Sequence, residues 1–299
     1  MEPKKVRTRL LEVAYLEAGQ AEHDPVLLLH GWPDDALTWQ AVAPGLVEAG
    51  YRVLVPYLRG FGETRFLDDA TARSGQLSAL GSDVIEFADA LGLGKFVAVG
   101  HDWGARAAYI AAALHPDRVT NCVALSVGWG TNDPNQALAL SQARNYWYHW
   151  FLATSRGEAV LRETPKDFTR FLWSTWSPQW KFGDAEFEAT AKSFENPDWF
   201  AVTLNSYRNR WGWALGDPQY AEMDAKLNPA PRIPVPTLVL HGDGDACNAP
   251  ATSEGREAMF SGLYRRRLVP GAGHFPQREK PGFVSAAMLE WLSATRPFG

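Results

Sequence analysis

The sequence predicts an α/β fold: a mostly parallel sheet with helices on both faces and an inserted helical cap. Three observations carry this. Short, continuously apolar runs alternate with stretches of helix length as far as Val127. The alternation then lapses for roughly a hundred residues, and it resumes at "IPVPTLVLHGDGD". Strands buried on both faces need continuous apolar runs, and the helices between consecutive parallel strands supply the two covers.

In chain order, "RTRLLEVAYLEAG" alternates with a period of two and reads as a strand pair at an exposed sheet edge. "VLLLH" (26–30), "RVLVP" (52–56), "KFVAVG" (95–100), "CVALSV" (122–127) and "TLVLHG" (237–242) read as buried strands. Helix-length stretches at 38–49 and 76–91 lie between the earlier ones. From about 128 to 224 the pattern is helical, with turn signals at "WSPQW", "ENPDW" and "GDPQY". Nine of the thirteen tryptophans fall in this stretch, which marks it as a region with its own aromatic core. The expected division is therefore core at 1–130, cap at 131–224 and core again at 225–299. A cap over strand ends is a lid, and lids keep water from chemistry.

Hydrophobic residues make up 46% of the chain and charged residues 21%, the balance of an ordinary globular protein. The net charge of −5 provides no basic footprint, which argues against nucleic acid or an anionic membrane as partner. The N-terminus lacks the apolar core of a signal peptide, and no run approaches the ~20 apolar residues of a membrane span. Cys122 and Cys247 have no metal-type spacing and read as reduced thiols of a cytoplasmic protein. No cofactor or metal is expected. The expected partners are a small substrate and water, with the chain a monomer or homodimer.

The chemistry-bearing signal is Gly100-His101-Asp102-Trp103-Gly104 between a strand and a helical pattern. Small-x-nucleophile-x-small is the spacing of a nucleophile elbow, whose glycines let strand and helix backbones cross. The middle residue is usually Ser and here is Asp102; a plain helix N-cap is the bland alternative. Late in the chain, "RRRLVPGAGHFPQREKP" sets His274 in a glycine-flanked loop between the last strand and the last helix, where a general base belongs. "LVLHGDGDACNAP" offers Asp243 and Asp245 to orient that base, and the Gly-x-x-Asp spacing from Gly242 favours Asp245. Asp133, after the sixth strand, ranks third.

"HGWPDDALTW", "AGYRVLVPYLRGFGET", "GHDWGARAAY", "HPDRV" and "GAGHFPQREKP" together resemble the epoxide hydrolases of the α/β-hydrolase fold, across essentially the whole chain. Haloalkane and haloacetate dehalogenases share the same Asp-elbow skeleton. The resemblance implies an oxyanion hole made by the backbone N–H groups of Trp32 and Trp103. It also implies two cap tyrosines as proton donors, which fall on Tyr148 and Tyr207, with Tyr146 the fallback for the first.

A free aspartate, with a pKa of roughly 3.9, is already ionised at neutral pH and displaces a leaving group at saturated carbon directly. The resulting alkyl ester needs a second step, in which His274, polarised by Asp245, activates water. An epoxide oxygen leaves as an alkoxide and must be protonated, which suits tyrosine. The expected function is thus conversion of an apolar epoxide to a vicinal diol. The alternative is haloacetate or haloalkane dehalogenation, for which the resemblance would make His149, Trp150 and Tyr207 the halide site. Haloacetate dehalogenases pair two arginines in the elbow helix; here Arg106 stands alone, with Trp103 at the other position, which counts against a carboxylate substrate. A non-catalytic ligand-binding protein on the same scaffold is the third reading.

Overall fold

The computed structural model describes residues 3–131 and 136–295. Its centre is a nine-stranded sheet. Numbered along the chain, and leaving the two-residue strand Arg65–Phe66 unlabelled, the strands are β1 (Lys4–Arg7), β2 (Leu11–Ala18), β3 (Asp24–Leu29) and β4 (Tyr51–Pro56), then β5 (Phe96–His101), β6 (Val119–Leu125), β7 (Thr237–Gly242) and β8 (Tyr264–Val269). Their spatial order is β1-β2-β4-β3-β5-β6-β7-β8. β1 and β2 pair antiparallel at one edge, and β4, β3, β5, β6, β7 and β8 are parallel.

The parallel strands are apolar on both faces because both are covered. Leu27 and Leu29 of β3 join one hydrophobic cluster, while Val26 and Leu28 join the other. The same alternation sends Ala98 of β5 to one side and Val97 and Val99 to the opposite side.

Leu77–Ala90 forms a helix, α2, within the expected 76–91. The expected helix at 38–49 is instead two pieces, a 3-10 turn at Ala36–Trp39 and α1 at Ala43–Glu48. Pro44 explains the break. Without an N–H it is at home in a first helical turn, and its ring opposes helical continuation from the residues before it.

Between β6 and β7 the described residues form α4 (Leu140–Asn145), α5 (Trp147–Leu152), α6 (Ser155–Glu163), α7 (Pro165–Trp176), α8 (Asp184–Ala191), α9 (Trp199–Arg210) and α10 (Ala221–Leu227). No strand occurs among them. α10 runs across residue 224, so a division there would cut a helix. Trp173, Trp176 and Trp199 of this region are buried in the cluster that covers one sheet face, together with Trp32 of the loop after β3. The helical segment and the sheet thus share one core rather than forming two.

Register decides where a site can be. Leu29 pairs with Gly100, His101 with Leu125, Leu125 with Leu240, and Gly242 with Val269. The carboxyl ends of five neighbouring strands therefore lie level, and the loops leaving them converge. Parallel α/β sheets bind ligands at this edge.

Candidate active site

β5 ends at His101 and α3 (Trp103–Leu114) begins two residues later, leaving Asp102 alone in the turn. Asp102 has φ 51° and ψ −113°, a conformation that costs an L-residue ~1–3 kcal/mol. Packing enforces it. A Cβ on Gly100 would run into the Gly104 carbonyl, and one on Gly104 into the Leu29 carbonyl, so the crossing admits only glycine. The N-cap alternative fails on geometry, since Asp102 makes no side-chain cap hydrogen bond.

The Asp102 carboxylate points to the other loops. Its Oδ1 accepts the Trp32 backbone N–H at 3.1 Å, and a Cβ on Gly31 would collide with its side chain. Trp103 opens α3, where first-turn N–H groups have no acceptor within the helix and favour negative charge. His274 Nε2 lies 3.8 Å from Asp102 Oδ2 and has no hydrogen-bond partner among the described residues.

The imidazole is oriented from behind. His274 Nδ1 and Asp245 Oδ2 are 2.9 Å apart, and Asp245 Oδ1 accepts the N–H groups of Cys247 and Asn248 at 2.8 and 2.9 Å. The backbone of His274 is pinned as well: its N–H donates to Ser177 Oγ, and its carbonyl meets Ser126 Oγ and His101 Nε2. Burial alone would lower the His274 pKa, but the Asp245 carboxylate, aided by Asp102, raises it overall. Burial works the other way on Asp245, where the His274 and His241 imidazoles prevail and hold it at about 2. Asp243 is exposed and accepts the Gly271 N–H, facing away from His274. Asp133 lies outside the described residues.

Tyr148 and Tyr207 come together over this site from α5 and α9, their ring centroids 5.3 Å apart. Trp32 stacks on Tyr148 at 5.9 Å and meets Tyr207 edge-on at 5.0 Å, and Trp103 lies 5.7 Å from Tyr207. Both phenols are buried. Burial first, with nearby anionic groups including Asp102, pushes both pKa values well above the ordinary 10.0. Each therefore keeps its proton at neutral pH. Tyr146 is engaged elsewhere, its hydroxyl donating to Asn248 Oδ1 at 2.6 Å.

His149 stacks beside Tyr146 and Tyr207, and its Nδ1 accepts the Trp211 indole N–H at 3.0 Å. Burial, with the charges of Arg210 and Arg106, drives its pKa well below the ordinary value, so the ring is neutral. Trp150 stands apart from the pair: its indole N–H donates to the Ala143 carbonyl and its ring packs on Trp211 and Trp213. Among the described residues no group of three or more metal-ligating side chains occurs.

Three neighbours of the site escaped the sequence reading. His241 places Nε2 3.3 Å from Asp245 Oδ2, and its position four residues before Asp245 was the available signal. Cys247 Sγ lies 3.6 Å from the Tyr148 hydroxyl. Trp176 packs 5.0 Å from the His274 ring, a contact with no signature in the sequence.

A strained aspartate at a strand-to-helix elbow, facing a His–Asp pair across level strand ends, defines a hydrolase-fold site, and a family model for the α/β hydrolase fold matches residues 24–281. The chain belongs to the α/β-hydrolase fold family. It is 30% identical to epoxide hydrolase A of Mycobacterium tuberculosis over 96% of each chain. Epoxide hydrolase B of the same organism is 32% identical, with 91% of this chain and 92% of that one covered. A solved structure from Klebsiella pneumoniae, provisionally described as an epoxide hydrolase, superposes with a TM-score of 0.91 at 39% identity, covering 97% of this chain and 96% of its own.

Proposed function

We propose that the protein is an epoxide hydrolase working through a covalent ester on Asp102, and that the helical segment 131–224 is its water-excluding cap. The observation that carries this reading is the pairing of a carboxylate at the elbow with two buried, protonated tyrosines. In the first step an Asp102 oxygen bonds to an epoxide carbon while that carbon's bond to the ring oxygen breaks. The departing oxygen takes a proton from Tyr148 or Tyr207, leaving a hydroxyalkyl ester and a tyrosinate.

In the second step His274 Nε2 takes a proton from water, and the hydroxide adds to the Asp102 carbonyl carbon. The backbone N–H of Trp32, already bonded to Oδ1, and that of Trp103 stabilise the oxyanion. Collapse expels the diol oxygen, which is protonated by the imidazolium, and the proton left on the carboxyl returns to the tyrosinate. Asp245 keeps the imidazole oriented and favours its cationic form.

Dehalogenation by the same nucleophile is the second reading. It is favoured by the Trp32 indole N–H and the Nε2 of the neutral His149, buried groups with no hydrogen-bond partner among the described residues that could hold a halide. It gives the Tyr148–Tyr207 pair no proton to deliver, and for that reason ranks second. A panel of styrene-type epoxides, chloroalkanes and fluoroacetate separates the readings. Diol from the epoxides supports the first, and halide release alone overturns it. The described residues contain no helix long and apolar enough to cross a membrane. Cys122 and Cys247 are free, buried thiols, which suits a reducing cytoplasm.

A further inference from the structure

α9 carries Arg208 and Arg210 in its last turn, and the two are held differently. Arg208 is tied down: its Nε donates to the Leu152 carbonyl at 3.1 Å and its Nη2 to Glu158 Oε2 at 2.8 Å. Arg210 is not. Its Nε and Nη2 are buried with no hydrogen-bond partner among the described residues, and its guanidinium carbon lies 5.2 Å from the centre of the Tyr207 ring. Helix geometry produces this contact. Residues three apart share a face, and a long side chain leans back over the turn before it, so Arg210 covers Tyr207. A cation in a last turn suits the helix macrodipole, but the macrodipole gives no reason to bury N–H groups without acceptors, which costs stability.

The charges around the two tyrosines differ. Burial and the Asp102 carboxylate oppose ionisation of Tyr207, while Arg210 and, more weakly, the Trp103 indole favour it. For Tyr148, burial is reinforced by Cys247, Tyr207 and Asp102, all opposing ionisation, and the hydroxyl meets the Cys247 sulfur at 3.6 Å. Arg106 is the other buried cation nearby, and its charge acts on Tyr146 and Asp102 before Tyr148.

The first step of the proposed reaction moves a negative charge. The charge leaves Asp102, which becomes an ester, and settles on the phenol that protonates the ring oxygen. A fixed cation stacked on the ring where charge arrives stabilises the transition state more than the ground state. We infer that Arg210 is a positioning residue acting through Tyr207: it favours the Tyr207 tyrosinate, so that Tyr207 delivers the proton while Tyr148 holds the ring oxygen by a hydrogen bond. This rests on the epoxide-hydrolase reading and gives its two tyrosines separate roles.

The test follows the loss of styrene oxide in a single turnover with enzyme in excess, which reports alkylation of Asp102. Arg210→Met should slow this step on the order of tenfold, the worth of about one pKa unit on the donor. Arg210→Lys, which keeps the charge, should regain part of the loss. A double-mutant cycle separates this role from a structural one. With Tyr148→Phe, the loss caused by Arg210→Met should persist in full. With Tyr207→Phe, where no tyrosinate can form beside the arginine, it should shrink to less than about twofold. Losses of equal size in both backgrounds, or no loss in either, overturn the inference and leave the epoxide reading standing. A loss that disappears with Tyr148→Phe gives the arginine to the other tyrosine and overturns the assignment. No loss of styrene oxide with the unsubstituted protein overturns the epoxide reading, and the inference with it.

Discussion

The proposed base, His274, sits in surroundings that make it harder to deprotonate. In the free enzyme Asp245, aided by Asp102, raises its pKa above the ordinary 6.5; in the ester Asp102 carries no charge and Asp245 alone favours the cation, whereas water activation needs the neutral ring. Hydrolysis of the ester, followed in a single turnover, should therefore rise with pH along an acid limb as the imidazole loses its proton. The tyrosines lie well above 10.0, so no alkaline limb from them should appear below that pH. Hydrolysis of the ester that does not rise with pH would contradict the assignment of the base. His274→Gln should still be alkylated and then stall, so that the intact-protein mass rises by one whole epoxide. Loss of activity with an unmodified mass would place His274 in the first step. At this scale the sequence was legible where spacing is local. Asp102 and His274 stand inside their own motifs. The Gly-x-x-Asp spacing already favoured Asp245 over Asp243; what it could not show is the turn after β7, which brings Asp245 to His274 Nδ1 and leaves Asp243 with the Gly271 N–H.

The elbow and the two tyrosine-bearing helices are the elements on which the proposed chemistry depends. Gly100→Ala puts a methyl group against the Gly104 backbone, which no rotamer change relieves. It should cost about 1–3 kcal/mol, the usual range for overpacking, read as a lower urea midpoint with an unchanged slope. Tyr148→Phe/Tyr207→Phe preserves ring stacking with Trp32 while removing both hydroxyls. Alkylation of Asp102 by an epoxide should fall by roughly 10²–10⁴-fold, the worth of a positioned general acid, and each single variant should lose less. Near-normal turnover in the double variant would rule out the tyrosine assignment. Element existence was readable from apolar period, but the break at Pro44 shows how one residue splits a helix-length pattern.

Across the whole molecule, the helical segment is fastened to the sheet by polar as well as aromatic contacts. Arg278, just after the His274 loop, binds Asp34 of the β3 loop through both carboxylate oxygens, at 2.8 and 2.6 Å, and reaches Glu186 of α8 at 3.0 Å. Its side chain and that of Asp34 are almost wholly buried. Burial would raise the Asp34 pKa, but Arg278 brings it below the ordinary value. Arg278→Met leaves that carboxylate buried without its cation and should cost about 3–5 kcal/mol in urea unfolding. A loss under ~1 kcal/mol would mean the contact is solvated in solution. No sequence pattern joins residues 34, 186 and 278, which is why the fastening was invisible before the fold.

The central claim is that Asp102, and not water, attacks the substrate carbon. A single turnover of an epoxide with enzyme in excess, in water enriched in heavy oxygen, tests it most directly. The account predicts that the label enters the Asp102 carboxylate, recoverable by peptide mass, and that the diol formed in this first turnover carries the unlabelled carboxylate oxygen. Label found in the diol alone, with Asp102 unlabelled, would mean that water opens the ring directly and would contradict the mechanism.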